Sequence, residues 1–214
     1  AQPSPRLAGS ADMAGDIHVL VRRGADMVEW FDDVARLRAE VFRAFPYLYE
    51  GDAEYEKHYL ATYARSAGSV LVLVLAGDAV VGASTGLPLG EAEPAFQAPF
   101  LDRGIPVEEV FYCGESVLLP AFRGQGLGHR FFDEREAHAR SLGGIRWTSF
   151  ASVNRASDDP RRPADYRGND VFWTRRGYTR QPDMQVSLPW KQLGEAHESE
   201  QTLTMWLRTL EAGQ

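Results

Sequence analysis

Cysteine is all but missing from this 214-residue chain, in which Cys113 stands alone. A single thiol cannot close an intrachain disulfide. That excludes a disulfide-stapled scaffold and agrees with a reducing, cytoplasmic compartment. The chain is long enough to bury a core without staples. Long apolar runs are missing as well. None approaches the roughly 20 residues of a membrane-spanning helix, and residues 70–76 read only as a short buried strand. Dense basic clusters are also absent. Lys and Arg total 23 against 30 Asp and Glu, for a net charge of −7. Arg161-Arg162 and Arg175-Arg176 are pairs rather than a stripe, so nothing marks a nucleic-acid binder. An acidic surface suits a cationic substrate, although a solvated face is its commoner meaning. No internal repeat is visible, and no set of metal ligands is expected. Residues 1–15, rich in Ala, Pro, Gly and Ser, lack the apolar core of a secretory signal. They read as a flexible arm, with Met13 a candidate native start, ahead of a single domain over 16–214.

What is present is a regular succession of elements. Residues 17–22 read as a strand. Val34, Leu37, Val41 and Phe45 lie near helical spacing, which predicts a helix capped by Asp26, running to about Ala44 and stopped by Pro46. Residues 54–64 read as a second helix. Residues 69–75 and 79–87, around Gly77-Asp78, form the clearest hairpin. A long connection over 90–106 has some helical content around 96–101. Residues 109–119 read as a strong strand ended by Pro120, and 127–142 as a helix ended by Gly143-Gly144. Then follow a strand over 145–153, a polar loop over 154–168, a short helix capped by Asn169 and ended by Gly177, and strands over 184–190 and 202–210. The order β-α-α-β-β-β-α-β-α-β-β mixes hairpins with helical crossovers. It predicts one mixed α/β sheet with helices on both faces.

The informative passage is Val117 to Gly128, where a strand feeds a glycine-rich turn and a helix starts inside the turn. The first turn of a helix carries unpaired N–H groups and partial positive charge, and therefore attracts anions. Gly124, Gly126 and Gly128 let backbone approach phosphate oxygens. Arg123 adds a full charge and a bidentate donor. A P-loop would continue Gly-Lys-Ser/Thr, but here the chain runs Gly128-His129-Arg130. The dinucleotide pattern fails too, since His129 and Phe131 stand where a third glycine would fall. What fits is Arg-x-x-Gly-x-Gly, from Arg123 to Gly128.

This turn resembles the acyl-CoA pyrophosphate motif of the GNAT superfamily, Gln/Arg-x-x-Gly-x-Gly/Ala. The segment Phe172-Trp173-Thr174-Arg175-Arg176-Gly177-Tyr178 is similar to the family's Phe-Tyr-x-x-x-Gly-Phe segment on its last helix. The element order matches over 17–210. The resemblance implies an α/β fold with a mostly antiparallel sheet, helices on both faces, and a splayed central strand pair that binds CoA. It implies an acetyl-CoA-dependent N-acetyltransferase acting on a primary amine of a small molecule or peptide. Arg123, Gly124, Gln125, Gly126, Leu127 and Gly128 would hold the pyrophosphate, and Leu118 and Leu119 would flank the pantetheine arm. A backbone N–H of this stretch would stabilise the developing oxyanion. Asn154 would bond the pantetheine amides.

An alkyl ammonium, with a pKa of about 10, must lose a proton before it attacks. Glu115, on the strand before the turn, is the candidate base, although a packed or paired glutamate is the plainer reading. Strand alternation puts Tyr112 and Ser116 on the face opposite Glu115. Trp173, which the resemblance places beside the cofactor, departs from the family's tyrosine, which protonates the leaving thiolate; an indole N–H is a donor but no usable acid. Tyr166 and Tyr178 are the nearest alternatives, with Tyr178 at a position usually in the core. The 154–168 loop is a second departure, expected to shape the acceptor pocket, hold the adenosine end, or merely connect. Phe45 and Tyr59 read as structural. Tyr47, Tyr49 and Glu50 read as the acceptor channel, where tyrosine faces and a carboxylate suit an ammonium. Two further readings stay open: a non-catalytic acyl-CoA-binding or sensor module, kept alive by Trp173, and a nucleotide-binding module. Strand edges over 184–210 leave a homodimer open.

Overall fold

A computed structural model describes residues 15–211. All of the expected N-terminal arm except Gly15 lies outside the described residues. The sheet is laid down by strands whose two faces are both apolar. In β2 (Val70–Ala76), Leu71, Leu73 and Leu75 enter one core cluster while Val70, Val72 and Val74 enter the other. This is the period-2 pattern of a strand covered on both sides. Seven strands form one sheet in the order β1-β2-β3-β4-β5-β7-β6. Here β1 is Ile17–Arg23, β3 Ala79–Pro88, β4 Val110–Leu118, β5 Trp147–Val153, β6 Thr179–Trp190 and β7 Ser199–Thr209. Only β4 and β5 pair in parallel; all other neighbours are antiparallel.

Helices α1 (Phe31–Val41), α2 (Ala53–Arg65) and α3 (Pro94–Arg103) go with the leucine side of the sheet. Helices α4 (Leu127–Leu142) and α5 (Asp170–Arg175) cover the valine side. Asp52 caps α2, its Oδ1 accepting from the N–H groups of Glu54 at 2.8 Å and Tyr55 at 3.1 Å. That satisfies two of the orphan donors of the first turn. Gly143 closes α4 at φ 72.

Four boundaries differ from the sequence reading. The first helix begins at Phe31, behind a 3₁₀ segment over Gly24–Trp30, so Asp26 is not its cap. That helix ends at Val41, short of the expected Ala44. The 90–106 connection holds a full helix, α3, with Pro94 at its start and Gly104 left-handed at its end. β6 begins at Thr179, with a register shift between Gln181 and Gln185 that accommodates Pro182. Of the last two strands, only β6 is an edge, because β7 lies between β5 and β6. Among the described residues no helix is long and apolar enough to cross a membrane, and no metal-binding group of His, Cys, Asp or Glu is found.

Candidate active site

Two features of β4 create the site. The first is its parting from β5. The two strands pair only at Val110–Trp147, Phe111–Thr148 and Tyr112–Ser149. Beyond these, β4 runs to Leu118 with that flank free of β5, and a cleft opens between them. At its end Pro120–Phe122 makes a 3₁₀ turn, and α4 starts at Leu127. Gly124 and Gly126 sit at φ 78 and 81, which L side chains rarely adopt. A Cβ on either would meet nothing within 4 Å, so the space before them is open. The N–H groups of Gly124 to Gly128 have no acceptor among the described residues. This array at the N-terminus of a 16-residue helix fits a pyrophosphate. Arg123 bends back, its Nε donating to the carbonyl of Leu118 at 3.1 Å.

The second feature is a bulge. Ser84 pairs with Ser116 and Gly86 with Cys113, so Thr85 faces both Gly114 and Glu115. Alternation resets there. Tyr112 and Glu115 line the same cavity on the α1–α2 side, while Cys113 and Ser116 face α4. The expectation that Tyr112 lies opposite Glu115 is therefore corrected, because one extra residue flips the strand; Ser116 does stand apart. Arg135 of α4, 1% exposed, sits beneath the bulge. It donates to the carbonyl of Glu115 at 3.0 Å, to that of Thr85 at 3.4 Å and to Ser116 Oγ at 2.9 Å. Gly114 is required for space: a Cβ would strike the Tyr59 and Tyr63 hydroxyls and Thr85 Oγ1.

On the other face Glu115 is 7% exposed and enters a buried ionic network. Its Oε2 lies 3.0 Å from an Arg38 NH group and accepts from the Tyr59 hydroxyl, while its Oε1 has no partner. Arg38 Nε donates to Glu56 Oε2 at 2.7 Å, and the Tyr49 hydroxyl donates to Glu56 Oε1 at 3.0 Å. The Arg38 guanidinium lies 3.9 Å from the centre of the Tyr59 ring. Two carboxylates against one guanidinium leave a formal charge of −1. Burial opposes the charge on Arg38, but Glu115 and Glu56 outweigh it and hold the guanidinium protonated.

Beside this network is a cavity of about 80 Å³, lined by Tyr47, Tyr49, Tyr55, Tyr59, Tyr112 and Glu115, with Ala151 of β5 and residues of the β6–β7 hairpin closing it. It lies where β4 and β5 part. Burial pushes the Tyr47 phenol up to about 12, and drives Tyr59 and Tyr112 well above the ordinary range. Those hydroxyls are neutral at physiological pH and act as donors rather than bases.

The structure thus brings Tyr47, Tyr49 and Glu115 together but leaves Glu50 out. Glu50 pairs with Lys191 at 3.2 Å, with 41% of its side chain exposed. Tyr59, expected to be only structural, touches Glu115 directly. Arg38 and Glu56 escaped the sequence reading. They carry a signal: Arg38 sits in the buried stripe with Val34 and Leu37, and Glu56 in that with Leu60 and Tyr63. A charge within an apolar stripe needs a buried partner.

Asn154 departs from its expected role. Its Nδ2 donates to Gln185 Oε1 at 2.8 Å and Thr202 Oγ1 at 3.1 Å, and its Oδ1 accepts from Thr204 at 2.7 Å. It ties β5 to the β6–β7 hairpin. Trp173 packs against Phe150 at 4.9 Å and Trp206 at 5.1 Å, on the α4 side of the sheet and away from the Glu115 cavity. Tyr178 is a core residue, its hydroxyl meeting Glu136 and Thr148. The 154–168 loop packs on the α1–α2 loop. Arg155 donates to the carbonyls of Pro46 at 2.6 Å and Tyr47 at 3.1 Å, and Tyr166 packs edge-on to Phe45.

The profile of the acetyltransferase (GNAT) family matches residues 31–159. No curated protein matches the sequence. Among solved structures, the ribosomal-protein-alanine N-acetyltransferase of Brucella melitensis superposes with a TM-score of 0.57 at 13% identity, over 89% of this chain and 99% of that one. NAA60 of Arabidopsis thaliana, solved with a bisubstrate analogue, gives 0.56 at 9% identity, over 91% and 100%. The yncA protein of Salmonella typhimurium, solved with acetyl-CoA, gives 0.54 at 13% identity, over 91% and 95%. At such identities the likeness is one of fold.

Proposed function

The chain belongs to the GNAT acetyltransferase family, and from that premise we propose that it transfers an acetyl group from acetyl-CoA to a primary amine by direct attack in a ternary complex. The observation that carries this reading is the unpartnered, buried Oε1 of Glu115, a residue that lines a tyrosine-walled cavity where β4 and β5 part. Acetyl-CoA supplies the acetyl group as a thioester: the amine nitrogen bonds to its carbonyl carbon, the carbon–sulfur bond breaks, and CoA leaves as thiolate.

The N–H groups of Gly124 to Gly128 hold the pyrophosphate at the head of α4. The cleft-facing backbone of β4 up to Leu118 and Leu119 runs beside the pantetheine arm, and a backbone N–H there stabilises the developing oxyanion. The tyrosine faces and the excess negative charge attract an ammonium. Glu115 takes the proton through Oε1, while Arg38 and Tyr59 hold Oε2 and fix the carboxylate. No protein acid is needed for the thiolate, since a thiol of pKa about 8.5 departs readily near neutral pH.

Glu115→Gln tests the reading. Turnover should fall by roughly 10²–10⁴-fold, the usual value of a positioned base. Affinity for acetyl-CoA should hold, because the pyrophosphate turn lies elsewhere. The deficit should narrow at high pH, where the amine is already neutral. Wild-type turnover at neutral pH would remove Glu115 from the mechanism. Acetyl-CoA binding without thiol release toward any amine would instead favour the non-catalytic binding module.

A further inference from the structure

Resting on the amine-transfer reading, we propose that the acceptor is a compact primary amine with one cationic group and a short apolar tail, rather than a peptide or a polyamine. The acceptor side of the cavity is roofed. The α1–α2 loop and the β6–β7 connection are joined by a β-bridge between Tyr49 and Gln192. Glu50 N–H donates to Lys191 O at 2.9 Å, and Leu193 N–H to Leu48 O at 2.8 Å. Trp190 Nε1 donates to Tyr47 O at 3.1 Å, and the Lys191–Glu50 ion pair closes the outer edge at 3.2 Å. Arg155 then clamps the same loop from a third segment, bonding Pro46 O and Tyr47 O on one side and Gln201 on the other. Leu48 is held at φ 54, a left-handed conformation uncommon outside glycine, so this loop conformation is imposed by its partners.

Beneath the roof the space is about 80 Å³. A cavity that accepts benzene is about 150 Å³, so this one has room for only a few carbon atoms. Its chemistry selects further. Both oxygens of Glu56 are already taken, by Arg38 and Tyr49, which leaves Glu115 Oε1 as the one carboxylate oxygen of the network without a partner. A second ammonium would find no second carboxylate, because Glu115 is the one acid among the lining residues. A carboxylate would face Glu115 beside Arg38, whose charge Glu56 already engages from behind. Apart from the tyrosine hydroxyls, a peptide's N–H and C=O groups would find aromatic rings and leucines in place of partners, and buried polar groups without partners are costly.

The test uses the full chain with acetyl-CoA and follows thiol release. Butylamine is compared with 1,4-diaminobutane, 4-aminobutanoate and a peptide bearing a free N-terminal alanine, with kcat/KM normalised to the neutral amine. Butylamine should exceed each of the others by roughly 100-fold, the scale at which a buried site rejects an unpaired polar group. A peptide or diamine that equals or beats it overturns the inference while leaving amine transfer intact. Silence toward every amine, with acetyl-CoA still bound, overturns the transfer reading and this inference with it. In a second arm, the double variant Glu50→Ala/Arg155→Ala loosens the roof, and peptide turnover should rise at least about tenfold. A folded double variant whose preference is unchanged overturns the roof as the selecting element.

Discussion

The glycine turn and the glutamate chamber lie at the two ends of one short stretch of β4, yet they are built on opposite plans. The turn is contiguous and exposed. Its capability resides in the N–H groups of Gly124 to Gly128, no side chain is needed to aim them, and Gly124 and Gly126 are there for φ. The chamber is dispersed and buried. Glu115 depends on Arg38 from α1, Glu56 and Tyr59 from α2, and Arg135 from α4. The turn obtains its specificity from backbone geometry, whereas the chamber obtains it from side chains that must all be present at once. Damage to the turn should therefore be felt in ligand binding, and damage to the chamber in the fold itself.

The sharpest way to break that contrast is Arg38→Met. It strands two buried carboxylates, and breaking a buried ion pair from one side costs about 3–5 kcal/mol. Urea denaturation should show that loss as a lower midpoint at similar m. A midpoint within error of wild type would show the network to be dispensable. Next in size is Gly126→Val. At acetyl-CoA 100 times its Kd the wild-type protein should gain about 2.7 kcal/mol, seen as a thermal shift. The variant should lose that shift, and its apo melting should fall by the roughly 1–3 kcal/mol of a side chain held at φ 81, less than for Arg38→Met. An apo loss as large as that of Arg38→Met would make the turn as structural as the chamber.

Arg135→Met probes the underside of the bulge. It leaves the Thr85 and Glu115 carbonyls short of a donor, at roughly 1–3 kcal/mol. Turnover should fall as well, because the Glu115 backbone loses its support, while acetyl-CoA affinity holds. Equal losses in both would show that the bulge and the turn are coupled.

The smallest effect is expected at His138, outside both regions. Its Nε2 donates to Gly68 O at 2.7 Å while its Nδ1 is buried without a partner. Burial lowers its pKa, so below about pH 6.5 the unfolded chain takes up a proton that the native state resists. That component of stability is present above the unfolded pKa and shrinks as pH falls. His138→Gln should flatten the slope of stability against pH between about 5 and 7. An unchanged slope would assign the titration to another group.

Legibility along the chain follows the same division. The turn was legible because all of it lies within six consecutive positions whose residue types have few other uses. The strands were legible from β2, where leucine and valine alternate between two cores. α3 was undervalued because Pro99 sits inside it, and a proline weighs against a helix unless tertiary packing supports it. The bulge was invisible: nothing local says that Gly114 and Glu115 share one partner, and without it alternation puts Tyr112 on the wrong face. Glu50 was chosen for its place among aromatics, but the bridge to Gln192 turns it outward to Lys191.

The sequence by itself determined the family, the layered sheet and the glycine-rich turn, because helical and strand periodicity and a glycine turn are set by neighbours along the chain. Only the tertiary structure decided which carboxylate is held and which is free. That choice depends on Arg38, Tyr59 and Arg135 converging on Glu115 from different helices, and on a roof drawn from three distant segments. The desolvation that gives a buried charge its leverage is a property of the assembled interior, which no stretch of the chain possesses alone.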